Sequence, residues 1–144
     1  MQILVLDDDL GFLFWFAEAM EPFGYHVVPA DTVAQATRIM RRLKLAVDLL
    51  IVNPDLPGAV EFTASLQKRK DTHVKVVALI SQENSHSEHH RIRADATRAK
   101  PDPGEIAEMR AAAELGGTQP RLQSEWARFV QQMLGHRTAR SRAN

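Results

Sequence analysis

Three short runs limit this chain more than anything else in it. Residues 3–6 (ILVL), 49–52 (LLIV) and 74–80 (VKVVALI) are aliphatic at almost every position. A strand with one wet face alternates apolar and polar residues. A run that is apolar on both sides has both of its faces covered. Between these runs lie segments of helical length. Leu10 to about Pro22 is rich in apolar residues, and DTVAQATRIMRRL places Val33, Ala36, Ile39, Met40 and Leu43 on one stripe, with Asp31 or Thr32 as its cap. AVEFTASLQKR turns Val60, Phe62 and Leu66 inward, and PDPGEIAEMRAAAELGG is a further helix, with Pro103 near its start and Gly116-Gly117 as its stop. YHVVPA and a short edge segment at residues 96–99 complete the strands. Strand and helix alternate five times, which predicts an α/β fold: a doubly wound, five-stranded parallel sheet covered on both faces by helices.

In such a sheet the functional crevice lies beyond the carboxyl ends of the strands. The residues there are Asp7, Asp8 and Asp9 after the first strand, Asn53 after the third, Ile80 and Ser81 after the fourth, and Lys100 after the fifth.

Three stretches at these ends carry a resemblance. ILVLDDD, DLLIVNPDLPG and RADATRAKP occur in that order with suitable spacing. Together they resemble the receiver domain of bacterial two-component response regulators, over roughly residues 1–116, and the resemblance implies a flavodoxin-like fold. The resemblance implies that Asp7 and Asp8 stand where the family's Mg²⁺-binding acid pair stands. It implies that Lys100 is the lysine that pairs with the phosphoryl group. The phosphoacceptor aspartate lies four residues before the proline of the following turn, and four before Pro57 is Asn53. An amide lacks the anionic oxygen needed to form an acyl phosphate, and it is one charge short for a divalent cation. Asp8, Asn53 and Asp55 therefore offer a weak Mg²⁺ site at best, and no other cofactor is expected.

Further departures point the same way. Pro54 has no N–H where the family uses an amide to hold the phosphoryl group. Ile80 occupies the hydroxyl position, with Ser81 one later, and Thr97 stands in place of the switch aromatic. The loop from Pro57 to Glu61 is about two residues shorter than is usual in the family. The expected function is a non-enzymatic pseudo-receiver that signals by protein–protein contact. Two alternatives remain open at this stage. One is a working receiver phosphorylated on a displaced aspartate such as Asp55. The other is a small-molecule binder at the strand ends, for which no Gly-rich phosphate loop is present.

GFLFWF does not fit a sheet-covering helix alone. Phe12, Leu13, Phe14, Trp15 and Phe16 are consecutive, whereas one packed face needs three or four apolar positions per two turns. Beyond the receiver-like residues 1–117, residues 118–136 form an additional amphipathic helix, with Leu122, Trp126, Phe129, Val130, Met133 and Leu134 at helical spacing and Gly135 as its stop. Phe12 and Trp15 with Leu122, Trp126, Phe129 and Met133 are the expected interface. They pack within the chain, join two copies in a homodimer, or dock another protein.

Residues 137–144 read as a basic disordered tail. Five arginines and one glutamate fall in residues 120–144, so a net charge of zero splits into an acidic body and a basic end. No helix-turn-helix pattern accompanies the arginines, so nucleic acid is not the expected partner. HSEHH (His86, Glu88, His89, His90) reads as a solvated surface segment more than a metal site. No cysteine is present, no run reaches the ~20 apolar residues of a membrane helix, and MQILVLDDD lacks a basic leader region, so a cytoplasmic protein is expected.

Overall fold

The structure, a computed structural model, describes residues 1–69, 73–80, 91–114 and 121–143, with side chains described except at 109, 112, 113 and 136–143. Five strands, β1 (Gln2–Leu6), β2 (His26–Ala30), β3 (Leu49–Val52), β4 (Lys75–Ile80) and β5 (Ala96–Ala99), form one sheet in the order β2-β1-β3-β4-β5. Every pairing is parallel, with Leu6 opposite Ala30 on one side and Val52 on the other. Two aspartates fix strand starts: Asp48 accepts from the Gln2 amide at 2.8 Å and Asp95 from the Val76 amide at 2.8 Å.

The strands are apolar on both sides because two cores meet them. Ile3, Val5, Leu49, Ile51, Val77 and Leu79 face one core, and Leu4, Leu6, Leu50, Val52 and Val76 face the other. The second core is covered by α2 (Val33–Leu43) and α3 (Ala59–Gln67), through Ala36, Met40, Ala59 and Leu66. Thr32 caps α2 by accepting from the Gln35 amide at 3.1 Å. Leu43, expected on the apolar stripe, is instead 62% exposed. The chain turns left-handed at Lys44 (φ 45°), and Leu45 takes the buried place.

The first core is covered by α1 (Leu10–Met20), α4 (Pro103–Glu114) and α5 (Arg121–Ala143). This resolves the aromatic run. Phe12, Leu13, Trp15 and Phe16 are all buried because α1 packs against both the sheet and its neighbouring helices, while Leu10 and Phe14 stay exposed one turn apart. A short 3-10 turn, Glu21–Phe23, follows α1 and closes on Gly24 at φ 84°, a left-handed conformation that suits glycine.

The additional helix packs within the chain. Trp126, Ala127, Val130 and Leu134 are buried, and Leu122, Phe129 and Met133 are half-buried against the same core. Near its start, the Gln123 amide group donates to the carbonyl of Ala19 at 2.9 Å, and Trp126 meets Phe16 and Phe12 at 5.5 and 6.0 Å between ring centres. The two helices therefore run antiparallel. Of the arrangements expected for these residues, the structure shows packing within the chain: Phe12, Trp15 and Trp126 form a core, and Leu122, Phe129 and Met133 edge it. The helix also runs on to Ala143 through Gly135, where a stop was expected. A lone glycine costs a helix only ~1 kcal/mol relative to alanine, so it weakens the helix without ending it.

Trp126→Ala removes the largest fully buried side chain. It is expected to cost about 3–5 kcal/mol, read as a fall in the urea midpoint with little change in slope.

Candidate functional site

The parallel register places the strand-end residues side by side. The Asp7 amide donates to Ala30, the Asn53 amide to Leu6 at 2.8 Å, and the Lys100 amide to Ile80 at 3.0 Å, so each strand's last hydrogen bond fixes a polar residue just past it. Asp7 is completely buried. Its Oδ2 lies 2.8 Å from the Lys100 ammonium, whose side chain is 15% exposed. Its Oδ1 accepts from Asn53 Nδ2 at 3.0 Å. Asn53 Oδ1 faces the other way and accepts from the Asp55 amide at 3.0 Å. The amide is thus oriented by its partners: its donor meets a carboxylate and its acceptor meets an N–H.

The acids do not share one role. Asp9 caps α1, accepting from the Phe12 amide at 3.1 Å, and its second oxygen lies 3.5 Å from the Lys100 ammonium. Lysine thus bridges Asp7 and Asp9, while Asp8 is exposed at the rim. Reading the acids as the pair Asp7 and Asp8 missed Asp9 as the lysine's second partner. Its signal was positional, since an aspartate immediately before a helical run is a preferred cap.

Burial pushes the Asp7 carboxyl above its ordinary range, and proximity to Asp8 adds to this. Lys100 and the Asn53 hydrogen bond oppose it without cancelling it. Lys100 is itself partly buried, which lowers its pKa, but the bonds and charges of Asp7 and Asp9 win and raise it. A carboxylate without water and an ammonium held against it make each other tolerable.

The remaining expected residues stand apart. Asp55 is exposed on the turn after Asn53, and Pro54 beside it is buried. Ile80 is half-buried and Thr97 is exposed, on the side of β5 opposite to Arg98. Ser81 and the HSEHH histidines lie outside the described residues. Among the described residues no group of three or more His, Cys, Asp or Glu is arranged to hold a metal ion.

Solved structures give this geometry its context. The chain superposes on the receiver domain of a sensor histidine kinase from Pseudomonas aeruginosa, solved with a magnesium ion in its active-site cleft. That match has a TM-score of 0.65 and 18% identity, covering 93% of this chain and 97% of the other. It matches a CheY-like receiver domain from Methylobacillus flagellatus with a TM-score of 0.58 and 19% identity, over 80% and 97% of the two chains. It matches a chemotaxis response regulator of Vibrio cholerae with a TM-score of 0.55 and 19% identity, over 76% and 95%. The fold is that of the response-regulator receiver domain. No protein-family model and no curated protein matches the sequence. The receiver fold is therefore seen in the structure and not in a family-model match.

Two outcomes follow from the buried pair. Lys100→Met strands Asp7 without a counter-charge and is expected to cost about 3–5 kcal/mol near neutral pH. A carboxyl whose pKa is raised by folding adds stability at low pH, and this is lost as pH rises through the folded value. The variant should therefore recover stability as pH falls from 8 to 5, more steeply than the parent chain, in denaturant titrations. In the parent chain, the raised Lys100 pKa contributes stability that fades only above the ordinary lysine range. Asn53→Asp replaces the donor to Asp7 with a second carboxylate. A loss of about 1–3 kcal/mol is expected at neutral pH in chelator; a higher melting temperature there would contradict the repulsion argument.

Proposed function

We propose that this chain is a receiver-like signalling module that works by contact with another protein and not by aspartyl phosphorylation. The observation that carries this reading is Asn53. It stands where the resemblance places the phosphoacceptor, and both ends of its amide are engaged, one by Asp7 and one by the Asp55 amide. Phosphoryl transfer to a receiver needs a carboxylate oxygen as nucleophile, and this position has none.

The neighbours support the same reading. Lys100 already neutralises Asp7 at 2.8 Å. Asn53 turns a donor toward the acid, and its oxygen is taken by the turn. A divalent cation asks for several hard, charged oxygens converging on one point, and this donor set does not fit it. Pro54 contributes twice. It lacks the N–H that would hold a phosphoryl group. It also blocks the usual conversion of asparagine to aspartate, in which the following backbone N–H attacks the side-chain carbonyl. Asn53 therefore stays an amide, and the carboxylate is not regenerated by ageing of the chain.

A pocket satisfied in this way has one stable state instead of two set by phosphorylation. The surface that it supports is then a constant one, available to a protein partner that recognises the receiver shape.

The test is intact mass after incubation with a small acyl-phosphate donor and Mg²⁺. No gain of a phosphoryl group is expected under conditions that label an unaltered receiver to completion. A stable gain located at Asp55 or another aspartate would overturn the reading.

A further inference from the structure

The exposed apolar residues of this chain are not scattered. Leu10 and Phe14 are 53% and 54% exposed on α1, Phe23 is 41% exposed in the turn after it, and Leu43 is 62% exposed at the end of α2. β2 is an edge strand, α1 covers the first core and α2 the second, so these two helices flank one free edge on opposite faces of the sheet. Phe12 and Phe16 turn to Trp126 of α5, which meets Arg98 of the other edge strand, β5. The opposite flank of α1 carries Leu10, Phe14, half-buried Ala17 and Glu21, and it looks out past β2. Their spacing of four, three and four residues is that of a helix-pairing seam. On α2, Val33 lies 3.7 Å from where a Cβ on Gly58, at the head of α3, would stand. The other flank of α2 carries Ile39, Arg42 and Leu43, and it too looks past β2.

The two flanks carry opposite charge. Glu18 and Glu21 are exposed at the foot of α1, which has no basic residue. Arg38, Arg41, Arg42 and Lys44 are exposed at the foot of α2, which has no acidic one. None of these six has an ion-pair partner among the described residues. The heights agree as well. Both helices have 11 residues, and both start at the carboxyl ends of β1 and β2, which are parallel neighbours. Leu10 is therefore level with Val33, Glu18 with Arg41, and Glu21 with Lys44. The like charges Asp8 and Asp31 stand at the other end, a helix length of ~16 Å away. The strand itself is poorly suited to pairing. His26 donates to Met1 and Ala30 accepts from Asp7, so Val27 and Pro29 turn their backbone groups outward, and Pro29 has no N–H to give.

We propose that a second copy of this chain covers the β2 edge, with α1 of each copy against α2 of the other. A two-fold axis parallel to the strands sets the first face of one copy beside the second face of its partner and keeps every residue at its own height. Leu10 and Phe14 then meet the Ile39 flank of α2, Phe23 meets Leu43, and Glu18 and Glu21 face Arg41, Arg42 and Lys44. Each contact occurs twice, as in an isologous dimer. The chain's other helices fit the seam less well. Pairing α1 with α1 would gather two glutamates from each copy with no cation, and the exposed residues described on α5 (Arg121, Arg128, Gln131 and Gln132) offer nothing apolar. The contact uses neither Asn53 nor Lys100, so it goes beyond the signalling reading and fails separately from it. Phosphoryl labelling tests one, and mass in solution tests the other.

The experiment is sedimentation velocity on the full chain at about 1 to 100 μM. A species of twice the 16.2 kDa chain mass is expected, with nothing larger. Phe14→Glu, at an exposed position, is expected to raise the dimer Kd at least about tenfold, as for loss of one interface anchor. Two charge-reversed chains decide which helices meet. One carries Glu18→Lys and Glu21→Lys, the other Arg41→Glu and Arg42→Glu. Each alone is expected to be a monomer with the circular dichroism of the parent. Mixed in equal amounts they are expected to dimerise, because only the mixed pair sets opposite charges at both contacts. Lys68→Glu lies on α3, beyond α2 from this edge, and should sediment as the parent does. A monomeric parent overturns the proposal, as do species that grow past two copies. It is equally overturned if either charge-reversed chain dimerises alone, if the mixture stays monomeric, or if Lys68→Glu weakens the dimer as Phe14→Glu does.

Discussion

A carboxylate with no access to water sits just past the end of β1, an interior strand of the sheet, and the surrounding structure is arranged to permit it. Asp7 is fully buried and its pKa is raised by that burial. Desolvation of an ionised group costs several kcal/mol unless charge and hydrogen bonds are supplied locally. Lys100 supplies the charge from the far edge of the sheet, and Asn53 supplies the hydrogen bond from the adjacent strand. For both to arrive, β1, β3, β4 and β5 must be in register and parallel. The polar pocket and the apolar sheet are therefore not independent features, because the pairing of strands brings the charges together.

The same lysine links that pocket to the aromatic core. Its ammonium lies near the Phe12 ring, and Phe12 leads to Trp126 on the helix that extends the fold. An aromatic-rich α1 next to a plain sheet would leave rings in water. The additional helix takes them in, and it meets the edge strand through Arg98. Pocket, first helix and last helix are thus joined by continuous side-chain contacts.

Much of the fold was legible because parallel sheets write themselves as apolar runs. The runs at residues 3–6, 49–52 and 74–80 match β1, β3 and β4 with at most one residue of difference. The edge strand at 96–99 was legible only through its place before Lys100, since ATRA has no strong pattern of its own. Leu43 was misplaced because stripe counting ignores the helix end: the left-handed turn at Lys44 hands the buried position to Leu45. Gly135 was read as a stop because glycine often ends helices, but its propensity penalty is small beside the packing of Val130 and Leu134 just before it. In the pocket, Asn53 and Lys100 were found from their strand-end positions. Asp9 was passed over because its two roles, cap and ion-pair partner, depend on where the helix begins and where the lysine reaches.

By itself, the sequence determined the layering, the strand-end crevice and the chemical identity of what stands there, including an amide, Asn53, just past the third strand. These follow from local composition and from position along each strand. Only the tertiary structure decided which acid the lysine meets, that Asn53 turns its donor to Asp7 and its oxygen to the turn, and that the additional helix closes on its own chain. Those outcomes depend on distances between residues up to about a hundred positions apart. Packing and desolvation set such distances, and no local pattern records them.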